Sequence, residues 1–414
     1  MRFFLGSSLL LLSSAAAYTP ESTAQTDAVA AKSFETLKSA VADGTLKKGA
    51  RHQRRLARVH HRKRGGPEGI VRYNHAPGFL ITSAHAHDHN SADLSDAEKI
   101  DYIDAVRCLM TKPSITPPEV VPGARTRYDD FVATHMNLTR TIHMTGNFLT
   151  WHRYFVYTWE KALRDECGYK GYQPYWNWVK SSADPIHSPY MDGSPTSQGG
   201  NGVYAPHKCT PFVNNSTLCI PQGEGGGCVE TGPYGVITAN ISATSPTFFP
   251  DDGDVPVGKM FSYSPRCLKR DISPWMTSQW LTDNHTMELF ASPSHDIAVF
   301  QDLLQIDQPQ GPICVHSAGH FTWNGDPGGD VYNSPGDPMF WLLHANVDRV
   351  WWMWQNQAPL ERSFRIAGTR TMANEPPSAN ATLDDWLDMG FNGDRSPVRE
   401  HVSTVGGPYC YVYA

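Results

Sequence analysis

The sequence lacks three features that would place it in common classes of binding protein. Its formal net charge is −6, so it has no excess of basic residues of the kind that binds nucleic acid. Beyond the N-terminus it has no apolar run long enough to cross a membrane. Its eight cysteines include no CxxC pair, which makes a zinc knuckle a weak interpretation. We therefore expect neither a nucleic-acid partner nor a membrane span.

The first 17 residues have the pattern of a secretory signal peptide, with Arg2, a short apolar run and small residues up to Ala17. This pattern predicts a secreted protein, in which cysteines favour disulfides over free thiols. Because the sequon at Asn137 lies within the histidine-containing region described below, we expect it to be buried and unused. The remaining sequons are at Asn214, Asn215, Asn240, Asn284 and Asn380.

Residues 18–50 have a helical pattern, and a strongly basic stretch follows it. This stretch contains the pairs Arg54–Arg55 and Lys63–Arg64. It fits a removable pro-segment and a solvated basic tail equally well.

Helical patterns recur further along the chain. Ser95 and Glu98 predict a capping box at the start of a helix over residues 94–110. Its inward-facing residues are expected to be Ile100, Ile103 and Val106. The other predicted helices span residues 127–136, 148–164, 285–290, 294–304 and 337–355, and a further helix carries the HSAGH sequence at residues 316–320. Residues 170–273 are rich in Gly and Pro, which predicts ordered loops and short strands held by disulfides.

Six histidines, in two sets of three, are the residues that indicate a functional site. They are His135, His143 and His152, and far downstream His316, His320 and His344. A single histidine in an apolar run is more often a core or capping residue. Two trios in strongly apolar, Trp-rich surroundings instead indicate a metal site. Because no Cys or Glu completes either trio, the pattern favours two copper ions, each bound by three neutral imidazoles.

These motifs resemble the type 3 dinuclear copper proteins, the group of tyrosinases, catechol oxidases and haemocyanins. The resemblance rests on the first trio with WHRYF, on PYWNW, on HSAGHF and on DPMFWLLHANVDRVWWMW. It covers residues 94–413 and is strongest to short secreted fungal tyrosinase-like catechol oxidases. It implies a mainly α fold in which a central four-helix bundle holds the dinuclear copper site, surrounded by long loops and a few short strands.

The resemblance also divides the chain. Together with the N-terminal signal pattern, it predicts a signal peptide at residues 1–17, an N-terminal segment that fits a pro-region at residues 18–93 and a tyrosinase-type copper domain at residues 94–414. Within the N-terminal segment, residues 51–90 are atypical of the group. The usual partner of one downstream cysteine is missing there, so we do not expect a full set of four disulfides.

The resemblance implies roles for residues around the copper ions. The first trio binds one ion and the second trio the other. Asp348 is expected to orient a histidine of the second trio, with Asn346 close by and Arg349 in a supporting ion pair. The other residues expected at the pocket are Phe340, beside the rings of the second trio, Ser317 and Phe321, at the substrate, and Val331, above the second copper ion.

The implied function is a secreted oxidase that uses O2 to oxidise o-diphenols, and also o-aminophenols and slowly monophenols, to quinones. Relatives that hydroxylate monophenols often have Asn where this chain has Ser317 and Glu where it has Gln305, which favours diphenols. Thr141 stands where some relatives form a Cys–His thioether. One alternative is haemocyanin-like reversible O2 binding. Another is a zinc or manganese hydrolase, which normally needs bridging carboxylates that neither trio offers.

Overall fold

The structure is a computed structural model, and it describes residues 18–43, 86–88, 90–211, 219–235, 237–242, 260–291, 296–305 and 313–413. The predicted signal peptide, both dibasic pairs and nearly all of the atypical segment lie outside these described residues. The sequons at Asn214 and Asn215 lie outside them too. None of the described helices is long and apolar enough to cross a bilayer.

Helices dominate the described part of the chain, which confirms the predicted mainly α fold. They are α1 (Ala24–Ala42), α2 (Asp96–Thr111), α3 (Arg127–Ile142), α4 (Phe148–Cys167), α5 (Pro274–Trp280), α6 (Asp283–Ala291), α7 (Ile297–Gln305), α8 (Val315–Thr322), α9 (Met339–Asn356) and α10 (Pro359–Arg362). Short 3-10 helices occupy Ser91–Asp93, Trp178–Ser181, Ser334–Gly336, Met372–Asn374, Gly390–Asn392 and Val398–Glu400.

The described strands are short and form two-stranded sheets. β1 (Ala86–Asp88) pairs in parallel with β10 (Tyr411–Tyr413), so the last strand lies beside the strand that precedes the predicted copper domain's first helix. The antiparallel pairs are β2 (Gly202–Tyr204) with β5 (Gly226–Val229), β3 (Thr210–Pro211) with β4 (Cys219–Ile220), β6 (Thr238–Ile241) with β7 (Tyr263–Cys267), and β8 (Trp386–Leu387) with β9 (Ser396–Pro397).

Three disulfides hold the described chain together. Two of them, Cys209–Cys219 and Cys228–Cys267, lie in the Gly- and Pro-rich region, where loops and short strands were predicted. The third, Cys108–Cys167, joins α2 to the end of α4. Two of the three disulfides therefore crosslink the segments that have the least regular secondary structure.

Helix α2 begins at the predicted capping box. The Ser95 hydroxyl accepts from the backbone N–H of Glu98, and the Glu98 carboxylate accepts from the backbone N–H of Ser95 at 2.9 Å. Ile103 and Val106 are buried as predicted, but Ile100 is 43% exposed, so the inward position predicted for it was wrong. The buried stripe also includes Tyr102 and Leu109, and Ile100 lies outside that stripe.

Helix α9 lies at the centre of the core, and all of its 18 residues are buried. It packs against α1, α4 and α8. Trp341 of α9 stacks on Trp159 of α4, with ring centroids 3.9 Å apart and an interplanar angle of 3°. A helix buried on every side must satisfy its polar side chains inside the protein, because water cannot reach them.

Helix α1 packs onto α9 as part of this core. The Ser33 hydroxyl is fully buried and donates to the carbonyl of Met353 at 2.9 Å. At the start of α1, the backbone N–H of Thr26 donates to the carboxylate of Asp283 on α6 at 3.1 Å. Leu37 is 2% exposed. The described part of the N-terminal segment thus belongs to the fold, while its removal as a pro-segment stays a prediction.

Replacing Leu37 by Ala should lower the free energy of unfolding by about 2–5 kcal/mol, because it leaves a cavity between α1 and the core. Urea denaturation of the full chain measures this change. Glu35→Ala, at an exposed site on the same helix, should change it by less than about 0.5 kcal/mol. Equal, small effects of both substitutions would show that α1 does not pack onto the domain.

Candidate metal centre

The fold brings the six predicted histidines together as two trios. His135 lies in α3, His152 in α4, His316 and His320 in α8, and His344 in α9, while His143 is the residue that ends α3. Within each trio, one ring nitrogen from each histidine lies within 4.8 Å of the other two. Each trio could therefore hold one metal ion.

Backbone carbonyls fix the orientation of the rings in the first trio. Each ring donates its Nδ1–H to one backbone carbonyl. His135 donates to Tyr332 at 2.9 Å, His143 to Thr139 at 3.0 Å and His152 to Phe148 at 2.8 Å. Because a carbonyl can only accept, Nδ1 carries the proton and Nε2 keeps its lone pair. The Nε2 atoms of His135 and His152 are buried without a hydrogen-bond partner. Unpartnered nitrogens of this kind are the atoms that a metal ion would satisfy.

The second trio passes a geometric test for a metal ion. The Nε2–Nε2 distances are 3.1 Å for His316 and His320, 3.2 Å for His320 and His344, and 3.4 Å for His316 and His344. A point equidistant from these three atoms lies about 1.9 Å from each, which is the mean side divided by √3. Metal–imidazole bonds are about 2.0–2.1 Å long. A metal ion therefore fits the triangle without much movement.

The two trios face each other. The rings of His152 and His344 stack with centroids 4.4 Å apart and an interplanar angle of 12°. Phe340, expected beside the second trio, lies 4.2 Å from the His344 ring and 5.3 Å from the His135 ring. It therefore separates and supports rings of both trios rather than of the second alone.

Burial lowers the pKa of every histidine in the two trios. The pKa of His143 falls to about 4 and that of His320 to about 3, in both cases mainly through desolvation. For the other four histidines, desolvation and then the charge of neighbouring histidines hold the pKa well below its usual range. All six rings are therefore neutral at neutral pH, and neutral imidazole is the form that binds metals.

The role predicted for Asp348 was wrong. Its carboxylate orients no histidine; Oδ1 accepts from Arg153 Nε at 2.5 Å, and Oδ2 accepts from the hydroxyls of Tyr411 and Tyr413 at 2.5 and 2.6 Å. Asp348 is on α9 and Arg153 follows His152 on α4. The carboxylate is therefore fully used in joining the two histidine-bearing helices to strand β10.

The other residues that were predicted near the copper ions lie in different environments. Arg349 forms its ion pair with Asp27 of α1 at 3.7 Å and stacks on Tyr175. Asn346 is buried. In α8, the Ser317 hydroxyl accepts from the Cys314 thiol at 3.2 Å, and Phe321 is half-buried against the core. Val331 is 46% exposed, and the next residue supplies the carbonyl that orients His135.

Arg153 is the structurally important residue that the sequence argument missed. Its guanidinium is buried and lies 3.8 Å from the Trp351 ring, and it also donates to the side chain of Gln355 and the carbonyl of His401. The sequence did contain a signal for this role. Arg153 directly follows the candidate ligand His152 within the WHRYF motif, and a charged residue buried at such a place needs a buried partner.

A separate cavity of about 280 Å³ lies beside α3, with Met110, Val132, Ile237 and Asn240 in its lining. None of the six histidines lines it. It is therefore distinct from the candidate metal centre.

Comparison with known proteins decides the family. The family model described as the common central domain of tyrosinase matches residues 125–357, a range that contains all six histidines. The chain belongs to the tyrosinase family. Tyrosinase P from Aspergillus terreus is 38% identical over 331 residues, which is 78% of this chain and 91% of that protein.

Two further tyrosinase-family relatives cover most of the chain. The N-acetyl-6-hydroxytryptophan oxidase ivoB from Emericella nidulans is 37% identical over 333 residues, 77% of this chain and 90% of that protein. The solved structure of a mutant polyphenol oxidase from Thermothelomyces thermophila superimposes with a TM-score of 0.80 at 35% identity, and covers 95% of this chain and 98% of that one. The structural similarity thus extends over nearly the whole chain.

Members of the tyrosinase family are dinuclear copper proteins, and two imidazole trios without a carboxylate suit copper. This chain is therefore an oxidoreductase, a copper phenol oxidase with two copper ions as its cofactor. The expectation of copper from the donor set is confirmed at the level of the family.

Replacing Asp348 by Ala should lower the free energy of unfolding of the metal-free protein by about 3–5 kcal/mol, because it leaves the Arg153 charge buried without its partner. Urea denaturation measures the loss. Asp165→Ala breaks the exposed Lys161–Asp165 pair and should cost at most about 1 kcal/mol. If Asp348→Ala is no more damaging than this control, the pair does not join the helices.

The metal-free protein should become less stable as the pH falls from about 6.5 to about 4. The unfolded chain takes up protons on these histidines near pH 6.5, whereas folded His143 does so only near pH 4. More protons bind to the unfolded state throughout this window, so acid favours unfolding. The shift at His143 alone corresponds to about 3 kcal/mol. Urea denaturation across this pH range gives the slope.

His143→Gln should make that slope shallower, while His187→Gln, at an exposed site, should leave it unchanged. A free energy of unfolding that is constant from about pH 7 to pH 4.5 would contradict the burial of neutral rings.

Proposed function

We propose that this chain is a secreted catechol oxidase that uses O2 to convert o-diphenols to o-quinones. His135, His143 and His152 would hold one copper ion, and His316, His320 and His344 the other. The observation that supports this assignment is the convergence of six neutral imidazoles, five of them buried and that of His320 partly buried, as two facing trios.

When bound, the copper pair supplies the redox chemistry: two catechols each give up two electrons and two protons, and one O2 becomes two waters. The protein's own part is to orient and protect. Carbonyls of Tyr332, Thr139 and Phe148 hold the first trio's Nδ1 protons, so each Nε2 faces the metal position. The apolar helices around the rings exclude water from the metal positions.

Substrate would approach from the side of His143, His316 and His320. His143 and His316 keep 6% and 7% exposure, and His320 is only partly buried, whereas the other three rings are 0–1% exposed. Ser317 and Phe321 follow His316 and His320 on α8 and are both half-buried. These two residues would border the aromatic ring of the substrate.

Two side chains support o-diphenols over monophenols as substrates. Monophenol hydroxylation needs a base that removes the phenol proton, whereas catechol oxidation makes a smaller demand of this kind. The Gln305 carbonyl oxygen already accepts from the backbone N–H of Met144 at 3.0 Å. The Ser317 hydroxyl is paired with Cys314. Neither trio contains a carboxylate among its potential ligands.

The secretory assignment is supported by the N-terminal signal pattern and by the three disulfides, which form in oxidising compartments. Asn137 is exposed, so the expectation that it is buried was wrong. Asn240 is buried, and its amide donates to Asp129 at 2.8 Å, which makes it the poorer glycan acceptor.

The copper-loaded protein should oxidise 4-tert-butylcatechol to its coloured quinone, with one O2 consumed for two catechols, and should oxidise tyramine at least about tenfold more slowly. His316→Gln should abolish quinone formation, and His187→Gln at the surface should not. An oxygen electrode and a spectrophotometer measure both quantities.

Reversible O2 uptake without quinone would instead establish an O2 carrier. Fewer than two coppers per chain after reconstitution, with zinc retained, would favour a hydrolase. Equal rates for tyramine and the catechol would remove the proposed preference for diphenols.

A further inference from the structure

His143 differs from the other five histidines in its backbone. The others lie within helices, whereas His143 is the residue at which α3 ends, with φ −116° and ψ 144°. The next residue, Met144, has φ 47°, in the left-handed region that side chains with a Cβ rarely adopt. Such a conformation persists only where surrounding contacts hold it.

A buried glutamine on another helix, α7, forms a hydrogen bond with this turn. Gln305, the last residue of α7, is 7% exposed, and its side-chain carbonyl accepts from the backbone N–H of Met144 at 3.0 Å. One helical turn earlier, Gln301 is 4% exposed, and its amide donates to the carbonyl of Ala367 at 2.8 Å. The two glutamines lie on one face of α7, four residues apart, and we refer to them as the glutamine clamp.

The two segments that the clamp holds also contact each other directly. The backbone N–H of Gly146 donates to the carbonyl of Thr369 at 2.9 Å. Gly368 has φ +112°, and a Cβ there would lie 2.8 Å from the nitrogen of Gly146. This close backbone approach leaves no room for a side chain. The turn after His143, the loop at residues 366–369 and α7 therefore form one hydrogen-bonded unit.

We propose that the glutamine clamp positions His143 for metal binding, with Gln305 as its main member. This inference rests on the proposed role of His143 as a copper ligand. Thr139 fixes the His143 ring, but the backbone that carries the ring leaves the helix there, and Gln305 is the side chain that bonds to the following peptide. Loss of that bond leaves the strained turn free to relax and moves the ring from the first trio.

The variant Gln305→Met tests the proposal, because Met has a similar length and suits a helix but cannot accept the bond. Copper release to an excess of chelator is followed together with copper per chain. One of the two coppers should leave about tenfold faster than from the wild type, and the other at the wild-type rate. Gln305→Glu, whose carboxylate can accept the same bond, should restore slow release.

Gln222 provides the matched control. Its side-chain carbonyl also accepts a backbone N–H, that of His207 at 3.1 Å, in the Gly-rich region. Gln222→Met should leave both release rates unchanged. Gln301→Met should accelerate the same single copper to a smaller extent.

A double-mutant comparison tests whether the effect acts through His143. In the His143→Gln background, Gln305→Met should cause no further acceleration. Release of both coppers at the wild-type rate from Gln305→Met, or full additivity with His143→Gln, would overturn the proposal. A wild-type protein that binds fewer than two coppers would instead show that the proposed function has failed, so the two failures are distinguishable. If Gln305→Met does not fold, rapid copper loss from a folded Gln305→Glu would also overturn it.

Discussion

Six imidazole rings are desolvated inside this fold, and the packing around them keeps them in place. Burial keeps the rings neutral, and backbone carbonyls take the Nδ1 protons of the first trio, so lone pairs on Nε2 remain without partners in an apolar interior. In the second trio, three Nε2 atoms lie 3.1–3.4 Å apart, an arrangement that costs free energy until a cation occupies it. We therefore expect metal binding to stabilise the folded state of this protein.

Contacts around α9 join distant parts of the chain and stabilise this arrangement of rings. Arg153 and Asp348 connect the helices that carry His152 and His344, and the carboxylate also receives the hydroxyls of Tyr411 and Tyr413 from the last strand. Helix α1 covers another side of α9. The one trio histidine outside a helix donates from its ring to the carbonyl of Thr139, and the residue after it, Met144, donates from its backbone N–H to Gln305 of α7.

Local chemistry explains why much of the site could be predicted from the sequence. A capping box and the histidine spacing within an apolar helix both depend on residues only a few positions apart. The helix start at Ser95 and the helices that carry His135 and His344 could therefore be predicted. The partners of Asp348 were not, because Arg153 lies 195 positions away and no periodicity relates them. The docking of α1, the disulfide pairing and the contact between Gln305 and Met144 likewise depend on tertiary packing. Ile100 was misplaced because an apolar residue can also lie at the edge of a helix's buried stripe.

We propose that folding brings the six histidines together as two adjacent copper sites. Crystals of the copper-loaded protein, measured with X-rays at the copper absorption edge, test it most directly. We expect two anomalous peaks per chain, one bound by His135, His143 and His152 and the other by His316, His320 and His344. A single peak, or copper bound by any carboxylate or by histidines outside these trios, would contradict it.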